Sequence, residues 1–176
     1  ETPRATAHTP GAAEIRMQPR LGPLNQADLT RMTTAVHRLA QQVDVVTVVP
    51  HWGDQYNHRA VPDQRKVARA LVDAGADLVV GSHPHWVQGM ASRARSVVAY
   101  SLGNFVFDMD WQQQTMEGVS LDVTFWGDRL MAAVPEPYVL SPRFAPHPAT
   151  GSAASRILDD VWRFSVGVFK GRELSR

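Results

Sequence analysis

Cysteine is absent from the 176-residue chain. That excludes disulfides, thiol nucleophiles and cysteine-ligated zinc or iron–sulfur sites, and it leaves the compartment open. Long hydrophobic runs are missing as well. The longest, around 45–49 and 77–81, fall far short of the ~20 residues that a membrane-spanning helix needs. Nor is there an excess of charge. Eighteen Lys+Arg against 17 Asp+Glu give a formal charge of +1, so no broad basic surface exists and nucleic acid is not an expected partner. The chain starts at Glu1 without methionine or a signal-like leader, and is read as a processed product or a piece of a longer polypeptide. With 44% hydrophobic and 20% charged residues, its composition is that of a globular domain burying about 70% of its unfolded surface.

Residues 1–23 hold Pro3, Pro10, Pro19 and Pro23 with Gly11 and Gly22, a density that predicts a loose lead-in. Asn25 with Asp28 three positions on is an N-cap signature. Leu29, Met32, Val36 and Leu39 then recur at helical spacing, predicting a helix over 26–41. The β-branched run Val43–Val49 predicts a strand buried on both faces, as in a parallel sheet. Pro62 opens a second helix with Val67, Ala70, Leu71 and Ala74 inward, and Gly75 stops it. Asp77–Gly81 is the next buried strand, so the three elements form a βαβ unit. Beyond it, Ser96–Tyr100 and Phe105–Phe107 read as short strands. Gly118–Trp126 alternates as a strand, and Arg129–Val134 returns as its hairpin partner across Gly127–Asp128. Five prolines across 135–148 predict a loop or edge segment, and Ile157, Val161, Phe164 and Val168 predict a last helix over 154–168. The class is α/β, divided into the lead-in 1–23, a central domain 24–140, and a Pro-rich loop with C-terminal helix over 141–176.

Chemistry-bearing residues gather at the strand ends. His51 follows the first strand; His83 and His85 follow the second. Crevices beyond the carboxyl ends of parallel strands are where α/β proteins place their functional groups. Three imidazoles there are a candidate metal-ligand set. In an extended His83-Pro84-His85 segment both rings would face one side, and the proline would restrict the pair. A single histidine after a strand is ordinarily a surface or hydrogen-bonded residue, so the argument rests on all three together. His58 lies close enough in sequence to reach the cleft. Ser101 and Asn104, after the Ser96–Tyr100 strand, are candidate wall residues donating to a substrate anion, although Gly103-Asn104 also reads as a plain turn. Trp52, Tyr56 and Trp86 form either an aromatic rim or ordinary core packing.

The ordered strings His51-Trp52-Gly53-Asp54-Gln55-Tyr56, Pro62 with Gln64, Ala74-Gly75-Ala76-Asp77, Gly81-Ser82-His83-Pro84-His85 with Gln88, and Tyr100-Ser101-Leu102-Gly103-Asn104-Phe105 resemble the C-terminal half of the CapA (poly-γ-glutamate capsule synthesis) family. The resemblance is strong from Val45 to Asp108 and looser to about 140. It implies half of a four-layer αββα metallophosphoesterase-like sandwich. By the same resemblance His51 and His83 are ligands of one divalent metal ion and His85 of another. Such a pair activates a bridging hydroxide for hydrolysis. Two departures matter. The family's glutamate after His-Trp-Gly-x is Gln55 here, which cannot ionise. The superfamily's N-terminal ligands (an Asp after the first strand, a bridging acid and an Asn-His pair) have no counterpart before His51. The resemblance further implies an anionic polymer or a phosphate-containing substrate, a membrane-bound capsule synthesis complex as partner, and a place in the cell envelope outside the membrane. The competing expectations are a non-catalytic polymer-binding or scaffold subunit, and a generic α/β domain with structural histidines.

Overall fold

The structure is a computed structural model that describes residues 5, 6 and 8–167. Along the chain lie helix α1 (Gln26–Ala40), strand β1 (Thr47–Val48), helix α2 (Pro62–Asp73), strands β2 (Leu78–Val80), β3 (Met90–Arg93) and β4 (Ser96–Ala99), a short 3-10 helix (Gln113–Met116), strands β5 (Glu117–Trp126), β6 (Arg129–Leu140) and β7 (Pro146–Pro148), and helix α3 (Gly151–Arg163). They make two sheets, one ordered β1-β2-β4-β3 and the other β5-β6-β7. β1, β2 and β4 are mutually parallel, and β3 returns antiparallel on β4. The fold is α/β.

Side-chain alternation along β2 and β4 explains why both read as continuous apolar runs. Val79 and Val98 face one core with Val36, Val67, Leu71 and Trp52, which come from α1, α2 and the β1 loop. Leu78, Val97 and Ala99 face a second core with Met90, Val119, Ile157 and Val161. Helices α1 and α2 thus cover one face of the parallel sheet, while α3 and the first residues of β5 supply the other. In α2, Val67, Ala68 and Leu71 are each 1% exposed, and Gly75 ends the helix at φ 108°, a conformation only glycine adopts cheaply. Asn25 caps α1 by accepting from the Asp28 amide at 2.9 Å.

Four expectations are corrected. The first strand is regular only over Thr47–Val48 and forms the edge of its sheet among the described residues, with β2 as its neighbour. Val43 lies before the strand and Val49 just after it, and they are 44% and 70% exposed instead of buried. Phe105–Phe107 is an exposed loop that joins neither sheet among the described residues, and the chain pairs instead through a Gly103–Gly118 bridge. β6 runs on to Leu140 through Pro135 and Pro137, which lie opposite Leu121 and Val119. Two residues apart, both prolines present their missing N–H to the same edge, the one β7 reaches only from Tyr138 onward. Finally, α3 begins at Gly151 and ends at Arg163, with Phe164 as its C-cap; Val168 lies outside the described residues.

The lead-in is anchored over its second half. Ile15, Met17 and Leu24 pack on the α1–α2 core, the Asn25 amide donates to the Arg16 carbonyl at 2.8 Å, and the Gln18 amide donates to Asp63 at 3.2 Å. Asp28, 2% exposed, accepts from the Arg16 and Arg31 guanidiniums, both at 2.8 Å. These bonds hold its carboxyl well below the usual carboxylate range. A lowered pKa means that the unfolded chain binds the proton more readily. The associated stability is therefore complete above about pH 4 and is lost as pH falls below it. Asp28→Asn is expected to lower the melting temperature at pH 7 and to flatten its acid dependence below pH 4. Parallel melting curves of the two proteins over that range would count against this role.

Candidate functional site

The carboxyl ends of β1, β2 and β4 meet at one edge of the sheet. A parallel bridge joins His51 to Ser82, and the Trp52 amide donates to the Ser82 carbonyl at 3.0 Å. The Trp52 indole N–H donates to the Tyr100 carbonyl at 2.9 Å, tying the first loop to the end of β4. Behind them Gln64, fully buried, accepts from the Val61 amide and donates to Gln88 at 3.0 Å. Gln88 in turn donates to the Asn57 carbonyl at 2.8 Å. These amides lock the loop that carries His51 to the loop that carries His85.

His51 and His83 come into contact and His85 stands beside them, by a route other than the expected one. The His83-Pro84-His85 segment is not extended: His83 and His85 have φ of 99° and 62°. Left-handed backbone at bulky residues is strained and clusters where function over-determines the geometry. His83 Nδ1 lies 2.8 Å from His51 Nε2, and the His83 and His85 ring centroids are 5.9 Å apart. His51 Nδ1 contacts the Ser82 hydroxyl at 3.2 Å. Burial is the main cause that lowers the pKa of both His51 and His83, with neighbouring histidines and Arg20 adding to it. His83 falls to about 4. Both rings are therefore neutral at pH 7, the state in which imidazole binds metal. Two nitrogens bound to one ion at 2.0–2.1 Å would stand about 2.9–3.4 Å apart, close to the separation seen. The same separation is that of an N–H···N hydrogen bond between the two rings. His85 is engaged differently, with Nδ1 2.8 Å from Asn104 Oδ1, and no group of three His, Cys, Asp or Glu side chains converges on one point among the described residues.

The wall residues divide. Trp52, 6% exposed, belongs to the core. Tyr56 is half-buried at the rim, stacked on His85 at 5.9 Å and edge-on to Trp111 at 6.2 Å. Trp86 packs on Tyr56 and on His58, with its buried indole N–H unpartnered among the described residues. Ser101 is 1% exposed and accepts from the Gly103 amide at 3.3 Å. Asn104 Nδ2 is engaged with the Thr115 carbonyl at 3.0 Å. His58 lies apart from the trio, bonded to the Val87 carbonyl at 2.7 Å and facing Asp160 at 3.7 Å. Sequence reasoning overlooked Arg20, whose charge reaches His51 and His83, and Phe107, 5.4 Å from His85. Arg20 sits in the Pro-rich lead-in, where only the fold of the anchored segment reveals its proximity.

Taken together, these elements define an α/β protein with a histidine-lined crevice at the carboxyl ends of its parallel strands. The chain belongs to the bacterial capsule synthesis protein family PGA_cap, whose family model matches residues 1–109. It is 48% identical over 68 residues to the capsule biosynthesis protein CapA of Bacillus anthracis, covering 39% of this chain and 16% of that protein. It is 46% identical over 71 residues to the PGA biosynthesis protein CapA of Bacillus subtilis, covering 40% of this chain and 19% of that one. An uncharacterized protein of Sinorhizobium fredii, y4sH, is 36% identical over 86 residues, covering 48% of this chain and 19% of the relative. The matched stretch thus spans less than a fifth of each of these relatives. Among the described residues no helix is long and apolar enough to cross a membrane.

Proposed function

We propose that this chain supplies the histidine ligands of a divalent-metal hydrolase site, of phosphoesterase type, in a protein of poly-γ-glutamate capsule biosynthesis. The observation that carries the reading is the pair of neutral imidazoles, His51 and His83, with nitrogens 2.8 Å apart at the end of two parallel strands. In this reading the two share one ion, and His85 serves a second. A bound ion would polarise a phosphoryl oxygen and lower the pKa of a water. The chain's own residues bind and orient: Tyr56 and Trp111 border the cleft, and the Arg20 guanidinium draws an anionic polymer or a phosphate-containing substrate toward it. The protein acts at the cell envelope outside the membrane, within a membrane-bound capsule synthesis complex.

The test is metal stoichiometry in the intact protein. His51→Ala/His83→Ala is expected to lose about one zinc or manganese ion per chain relative to wild type, with the fold retained by circular dichroism. Equal metal content in both proteins would overturn the reading. A second reading, a non-catalytic polymer-binding or scaffold subunit, is favoured by Gln55, which cannot ionise, and by the lack of a three-donor group among the described residues. Phosphoester turnover abolished by a chelator and restored by zinc or manganese would exclude it.

A further inference from the structure

Asn104 is 6% exposed, and every polar atom of its side chain is committed. Nδ2 lies 3.0 Å from the Thr115 carbonyl and 3.8 Å from Met109 Sδ, while Oδ1 lies 2.8 Å from His85 Nδ1. Turning the amide over would set Oδ1 against the Thr115 carbonyl, acceptor against acceptor, so one orientation is enforced. The atoms around it are fixed in turn. The single proton of the Thr115 hydroxyl is shared between the Met109 and Gln112 carbonyls, each 2.8 Å away, and the Tyr138 hydroxyl donates to the Asn104 carbonyl at 2.7 Å. With Oδ1 able only to accept, the proton of neutral His85 must sit on Nδ1. Nε2 then carries the lone pair, and no hydrogen bond among the described residues engages it. Tyr56 and Phe107 both pack against the ring.

From this geometry we propose that Asn104 is a positioning residue, locking His85 in the Nδ1–H tautomer so that Nε2 is presented as an electron-pair donor to a divalent cation. The tautomer itself is independent of the metal reading; only the identity of what Nε2 binds rests on it. Outer-sphere partners of this kind govern the affinity of the ligand they orient.

The experiment is long-range proton–nitrogen correlation of the histidine rings in the metal-free chain, followed by titration with zinc alone. Wild type is expected to show His85 protonated at Nδ1 only. Asn104→Leu should populate both tautomers and weaken zinc binding about 10–100-fold. Asn104→Asp, which keeps an acceptor facing Nδ1, should hold the Nδ1–H form even where its lost bond to Thr115 lowers stability. A purely structural asparagine would leave the tautomer unchanged in all three proteins. That result, or an Nε2–H His85 in wild type, overturns the proposal. Wild type with the Nδ1–H tautomer but no zinc binding upholds the positioning role and instead removes the metal reading.

Discussion

Gly81→Ala is expected to destabilise the chain by about 3 kcal/mol or more, seen as a large fall in the denaturant midpoint. A Cβ at this position would fall on the Tyr100 carbonyl oxygen and the Trp52 indole nitrogen, the two atoms whose hydrogen bond ties the His51 loop to the end of β4. Backbone on a neighbouring strand cannot move aside as the end of a flexible side chain can. The effect is therefore one of space, and it reaches the site because the displaced groups adjoin His51 and His83. Gly127→Ala provides the contrast. It sits at φ 59° in the β5–β6 turn with nothing near its would-be Cβ, so it carries only the left-handed backbone cost of about 1 kcal/mol. Equal losses at the two glycines would refute the steric account.

Ile157→Ala is expected to cost about 2–5 kcal/mol, lowering the melting temperature by on the order of 10 °C. Ile157 is fully buried, as is Val161 one turn on, and both pack with Leu78, Val87, Met90 and Val97. Helix α3 lies beyond the residues that the family model matches, yet it covers the second face of the parallel sheet. Ser165, just after it, accepts from the Met90 amide and donates to the Val161 carbonyl. Without α3, Met90 and Val97 would face water. A loss below about 1 kcal/mol in thermal or chemical unfolding would show that the sheet does not depend on this helix.

The elements legible in the sequence are those whose signal is local. The periodicity of α1, the Pro62 start and Gly75 stop of α2, and the apolar run of β2 each encode their own structure within a dozen residues. Because β1 and β2 follow one another through a single helix, their parallel pairing was legible too, and with it the meeting of His51 with His83. β3 was overlooked because Gly89–Arg93 lacks alternation; it is a strand only because β4 lies beside it. The run at 105–107 has strand-forming side chains but no strand paired with it among the described residues, so it remains a loop.

At the site, chain order alone sets which side chains stand at the strand ends, since each follows directly on its own strand. Their orientation and partners depend on packing between distant segments. His83 and His85 are turned by left-handed backbone, which propensity disfavours and which the surrounding packing imposes. Ser101 is sealed inside, Trp52 is drawn into the core, and Asn104 is directed at His85 by a carbonyl eleven residues along the chain. The β6 hydroxyl of Tyr138, thirty-four residues away, completes that network. Hydrogen bonds between such distant segments leave no periodic trace in the sequence, because what selects them is the geometry that the packed sheets bring together.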